Sequence, residues 1–112
     1  MVLRIISVSQ KVYRLVKTIP KGKVATYGQL VSKCKVASGD WKVSPRVIGW
    51  ILHKNKDPKF PCHRVVDRNG RIAPNYAFGG ADEQRRRLLV EGVKFKDEMH
   101  VDLDSCRWQE KF

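Results

Sequence analysis

Acidic side chains are scarce in the first half of this chain. Residues 1–60 hold 2 acids against 13 bases, a balance of +11, whereas residues 61–112 hold 9 against 10. A formal charge of +12 gathered in one half speaks against a basic partner and fits a face that meets polyphosphate. A solvated face kept for solubility is the plainer alternative. Long apolar runs are absent too: none approaches the roughly 20 residues that cross a bilayer, so no membrane partner is expected. The opening MVLRIISVSQKVYRL lacks the small-residue cleavage site of a secretory signal. Cysteine is sparse, and Cys34, Cys62 and Cys106 stand at spacings unlike any zinc motif. The expectation is therefore an intracellular protein of cytoplasm and nucleoid (or nucleus), with free thiols. Repeats, linkers and low-complexity tracts are missing, and residues 1–112 are expected to form one domain and to act as a monomer.

What is present reads as mostly helical. Val8, Val12, Leu15, Val16 and Ile19 recur at helical spacing, with Lys11, Arg14 and Lys17 opposite, and Pro20 and Gly22 stop the run. Thr26 with Gln29 three residues on is a capping box, opening a helix expected over 26–35. Ser44 and Pro45 suit an N-cap and first helical position, opening a second over 44–55 with Val47, Ile48, Ile51 and Leu52 as its apolar face. The two form a helix-turn-helix-like pair, although the loop between them is longer than the tight turn of that motif. Asn69-Gly70 within RVVDRNGRI predicts a hairpin. ADEQRRRLLVEG predicts a helix capped by Gly92, with Arg85 to Arg87 on its solvated side. The segment 93–112 reads as short irregular or extended pieces. The fold class expected is a small α+β domain.

One stretch carries chemistry. In KFPCHRVVDRNGRI, Cys62 and His63 are adjacent behind Pro61. A thiol of ordinary pKa is only a few per cent thiolate at neutral pH, so a nucleophile needs a base or positive charge nearby, and His63 and Arg64 can supply that environment. Neighbours on a regular strand face opposite ways, so the pair cooperates only in a turn or through a water. A histidine base also needs an orienting acceptor, for which Glu91 is a candidate. From these residues alone, a buried structural cysteine beside a surface histidine is the reading to prefer. Cys34 and Cys106 have no such company.

PCHRVV (61–66), preceded by RVIGWILHKN (46–55) and IPKGKVATYGQL (19–30), resembles the DNA-binding, catalytic domain of the O6-alkylguanine-DNA alkyltransferase family, with its winged-helix-like fold. The resemblance covers nearly all of residues 8–93. It implies double-stranded DNA containing O6-alkylguanine as partner, no cofactor and no metal. It also implies irreversible transfer of the alkyl group to Cys62, with His63 deprotonating the thiol through a water, Glu91 orienting His63, and Asn55 steadying the turn. Tyr27 would hydrogen-bond the flipped guanine, Arg46 would fill the hole left in the duplex, and Val65, Tyr76, Ala77 and Phe78 would contact the base.

The chain departs from the family pattern in three places. The family's usual N-terminal domain is absent from this sequence, and the 55–61 loop is one residue shorter than usual. NYAFGG is one residue longer than the common NYSGG and lacks its serine, whose N–H contacts the guanine oxygen; Ala77 or Phe78 would have to supply that donor. A second reading follows from close relatives, the alkyltransferase-like proteins, which bind the lesion without removing it.

Overall fold

A computed structural model describes residues 2–38, 44–74, 76 and 78–109. Five α-helices and a two-stranded sheet appear among them: α1 (Val2–Thr18), β1 (Ala25–Thr26), α2 (Tyr27–Ser38), α3 (Pro45–His53), β2 (Val65–Val66), α4 (Gly80–Val90) and α5 (Leu103–Cys106), with a 3-10 turn at Cys62–Arg64. The fold is α+β and mostly helical, as expected.

The capping chemistry forms as the sequence predicts. Gln29 N donates to Thr26 Oγ1 (3.2 Å) while Thr26 N donates to Gln29 Oε1 (2.9 Å), which starts α2 at Tyr27. Val47 N donates to Ser44 Oγ, so α3 starts at Pro45. It ends at His53, two residues before the predicted end, and this frees Asn55 to turn inward. Gly92 closes α4 at φ +89°, where a side chain would be strained.

The sheet separates two cores. β1 and β2 run parallel with Ala25 opposite Val65 and Thr26 opposite Val66. Successive strand residues face opposite sides. Ala25 and Val65 accordingly join Val12, Val16, Ile19, Leu30, Ile48 and Leu52 between the first three helices. Val24 and Val66 join Ile72, Leu88, Val93, Val101 and Cys106 beneath α4 and the C-terminal segment.

The predicted hairpin is corrected here. Its turn exists: Gly70 sits at φ +84°, and Asp67 Oδ1 accepts from the amides of Asn69 and Arg71, each at 2.8 Å. The arms do not pair as strands, however. Val65 and Val66 are each buried in a different core, which β1 beside them permits and a two-stranded hairpin would not. The far arm pairs with the C-terminal segment, Ile72 N donating to Met99 O and Val101 N to Gly70 O.

That segment is structural. Val24 forms a parallel bridge to Arg107, and Trp108 N donates to Val24 O at 2.7 Å. Trp108 O accepts from Gln29 Nε2, and Lys33 Nζ lies 5.0 Å from its ring centroid. Cys106 is buried, its Sγ donating to Asp102 O. Trp108→Ala should therefore destabilise the fold by about 3 kcal/mol, within the usual range for removing a buried tryptophan. Urea unfolding with an unchanged m-value checks this; a change under about 0.5 kcal/mol would mean that the segment is not part of the core.

Candidate functional site

Cys62 begins the 3-10 turn that follows α3, and only 4% of it is exposed. The turn breaks strand alternation, and Cys62 and His63 are both buried. The segment before it is braced twice. Asn55 Oδ1 accepts from Asp57 N (2.9 Å), while Asn55 Nδ2 donates to Asp57 O (3.0 Å) and to Cys62 Sγ (3.1 Å). Phe60 stacks on Tyr13 of α1 at 4.9 Å, and the Tyr13 hydroxyl donates to Ile51 O of α3.

His63 and Glu91 meet directly, Nε2 to Oε2 at 2.9 Å. Sequence reasoning placed Arg64 as a charge near the thiol, but its guanidinium is engaged elsewhere. Nε and one terminal nitrogen donate to the two oxygens of Glu91 at 2.9 and 2.7 Å, and the other donates to Ile19 O at the end of α1. Burial disfavours ionised Glu91, yet the hydrogen bonds from Arg64 and His63 outweigh it and bring the carboxyl down to about 2. Burial lowers His63 below its ordinary value, only partly offset by Glu91, so the imidazole is neutral at pH 7. With Glu91 as acceptor the proton resides on Nε2, which leaves Nδ1 the basic nitrogen.

The thiol itself is not lowered. Burial pushes Cys62 up to about 11, against the hydrogen bond from Asn55 that favours the thiolate. The resting site is a protonated thiol beside a neutral imidazole, which corrects the expectation of a charge-lowered cysteine.

A cavity of about 40 Å3 adjoins Cys62, walled by Tyr27, Gly49, Val65, Tyr76 and Gln84 among others. That is room for roughly one water. Burial raises the Tyr27 phenol, with smaller upward pushes from Asp67 and Cys62, so it stays a donor. Tyr76 is buried, its hydroxyl accepting from Arg87 at 2.8 Å, with the guanidinium also 5.5 Å from its ring centroid and 5.3 Å from that of Phe78. Arg87 is thus only partly on the solvated face expected of it: it also pairs with Glu83, as the exposed Arg86 does. Arg46 opens α3, away from the thiol cavity, and lines a wider one. Ala77 lies outside the described residues.

Sequence reasoning missed Gln84. Fully buried on α4, it donates to His63 O and Val65 O (3.1 Å each) and accepts from Ala73 N (2.7 Å). The available signal was its position one turn before Leu88, on the apolar face of α4. Among the described residues no His, Cys, Asp and Glu side chains cluster to hold a metal, and no helix is long and apolar enough to cross a membrane.

A buried, hydrogen-bonded thiol thus lies behind the second helix of a helix-turn-helix-like pair. The 6-O-methylguanine DNA methyltransferase, DNA binding domain family model matches residues 7–93, and the chain belongs to this family. It is 36% identical to a bifunctional methyltransferase/endonuclease of Thermoplasma volcanium over 88% of this chain but only 29% of that protein. It is 35% identical to a DNA base-flipping protein of Escherichia coli K12, over 91% of this chain and 74% of the relative. The S. pombe Atl1 structure, in complex with damaged DNA containing O6-carboxymethylguanine, superposes with a TM-score of 0.74 at 28% identity, covering 93% of this chain and 96% of that one.

Thiol reactivity should follow the electrostatics. A small alkylating reagent such as iodoacetamide should modify Cys62 slowly at pH 7 and faster as pH rises toward 11, because burial disfavours the thiolate. Asn55→Ala removes a hydrogen bond that favours the thiolate and should move the profile to still higher pH. Peptide mass spectrometry across pH measures both, and a plateau at or below pH 8 would contradict this account.

Proposed function

We propose that this protein repairs O6-alkylguanine in duplex DNA by moving the alkyl group to Cys62, once per molecule. The observation that carries the reading is Cys62, on the cavity walled by Tyr27 and hydrogen-bonded by Asn55, next in the chain to a His63 that is paired with Glu91 and Arg64. In the proposed step the Cys62 proton passes through a water to His63 Nδ1, and the imidazolium formed faces ionised Glu91. Sγ attacks the alkyl carbon in line, an S–C bond forms and the O6–C bond breaks. The electron pair leaves with the guanine, which takes a hydrogen bond or proton from Tyr27. The thioether is not a leaving group that His63 or water can expel, so turnover ends there.

The target atom lies within the duplex, so the base must be extruded at a cost of a few kcal/mol, least for a damaged pair. Arg46 at the start of α3 occupies the hole, and Val65, Tyr76 and Phe78 surround the base. The basic first half of the chain supplies phosphate contacts.

A second reading, lesion binding without transfer, draws on one observation: a thiol held at about 11 beside a cavity that admits one water. The Atl1 structure, which matches this chain over nearly its full length, is compatible with it.

Intact mass spectrometry after incubation with an O6-methylguanine duplex separates the two. Transfer predicts one methyl group on Cys62 and a burst equal to the protein present; Cys62→Ala should lose transfer and keep lesion binding. Folded, reduced protein that binds the lesion and gains no mass would assign the chain to the binding class.

Duplex affinity should also fall by more than tenfold between 50 and 200 mM salt, since several phosphates are neutralised. Arg46→Ala should weaken lesion binding while leaving Cys62 as reactive to iodoacetamide as in wild type. Anisotropy titrations check this, and affinity unaffected by salt would remove the electrostatic role.

A further inference from the structure

Between α3 and residues 73–74 lies a wider cavity of about 620 Å3, whose lining includes Arg46, Val47, Trp50, His53 and Pro74. It adjoins the thiol cavity, sharing Gly49, His53 and Ala73 with it. Gly49 forms the threshold, where an added methyl group would stand 3.8 Å from the Tyr27 ring.

Trp50 is the unusual member of this lining. Its side chain is 61% exposed, whereas tryptophan is on average well buried. Arg46, Trp50 and Lys54 recur every fourth residue along one face of α3. Lys54 Nζ stands 3.7 Å from the indole centroid. A flat exposed ring flanked by cations is the combination that single-stranded nucleic acid uses, with bases stacking on the ring and phosphates meeting the charges.

The inner cavity is too small for a purine, and Tyr76 on its wall is fastened to Arg87. An extruded base therefore has no direct entry to Cys62 in this conformation, while the outer cavity is open and shares wall residues with the inner one. We propose that the outer cavity is a separate nucleobase-binding station. There the extruded base stacks on Trp50, with Lys54 near its flanking phosphates, before Tyr76 gives up its hydrogen bond to Arg87 and the base passes Gly49. This rests on the reading of duplex DNA as partner and of the inner cavity as the pocket that faces Cys62.

The test uses full-length Cys62→Ala protein, in which no transfer occurs, mixed by stopped flow with an O6-methylguanine duplex. The signal is indole emission, taken as the difference from the same protein carrying Trp50→Phe. A fall on capture followed by partial recovery as the base moves inward is expected. A duplex with an abasic site at the target position should bind without that transient. Trp50→Ala should slow lesion capture about tenfold, the scale of one lost stacking contact, and Trp50→Phe should restore most of it. Identical traces with the lesion and abasic duplexes, or capture by Trp50→Ala at the wild-type rate, would overturn the station while leaving DNA binding standing. Failure to bind either duplex would overturn the DNA reading and the station together.

Discussion

The Glu91 carboxylate at the end of α4 receives hydrogen bonds from both residues that follow Cys62, and through Arg64 it is tied to the last carbonyl of the first helical segment at Ile19. Three pieces of chain far apart in sequence are thereby held at one carboxylate. Half-buried as it is, Glu91 needs a compensating cation to stay ionised, and Arg64 supplies it with a two-pronged contact. The ionised state then dictates the His63 tautomer. Removing Arg64 would leave a half-buried carboxylate with only a neutral imidazole for company.

The thiol illustrates two opposed demands. Burial protects Cys62 and places it at the end of a cavity, but the same burial raises its pKa to about 11. The proposed transfer therefore requires nucleophilicity to be generated at the moment of reaction, by a base that is neutral at rest and by Asn55 as a donor to sulfur. Lowered His63 and raised Cys62 are consistent with each other: a thiol proton would have a place to go because Nδ1 of the neutral imidazole is unprotonated, its one proton being on Nε2 towards Glu91. Gln84 holds the same segment from the other side and connects it to Ala73, which walls both cavities. The nucleophile and the entrance to its cavity are therefore parts of one hydrogen-bonded unit.

Local chemistry was legible in the sequence wherever neighbours along the chain decide the outcome. The capping box at Thr26 and Gln29, the Ser44-Pro45 start of α3 and the Gly92 stop of α4 all depend on residues within one turn of each other. The PCHRV stretch with its flanking motifs carried the family. The hairpin around Asn69-Gly70 was legible only as a turn, because strand pairing is a competition between distant segments. Here β1 and residues 99–101 won it by burying Val65, Val66 and Ile72 on both sides of a sheet.

By itself, then, the sequence determined the first four helices, the caps of α2, α3 and α4, the charge asymmetry and the identity of the groups around Cys62, whereas the short α5 lies in a segment read as irregular or extended. Tertiary structure alone decided what those groups do electrically. Arg64, adjacent to His63 along the chain, turned to Glu91 twenty-seven residues away and so does not lower the thiol. Arg87, patterned for solvent, folded onto Tyr76. Gln84 was buried by three partners that no spacing announces. The physical reason is common to all three: a charged or amide group settles wherever burial leaves a matching partner unsatisfied, and which partners are buried is known only once distant segments have packed.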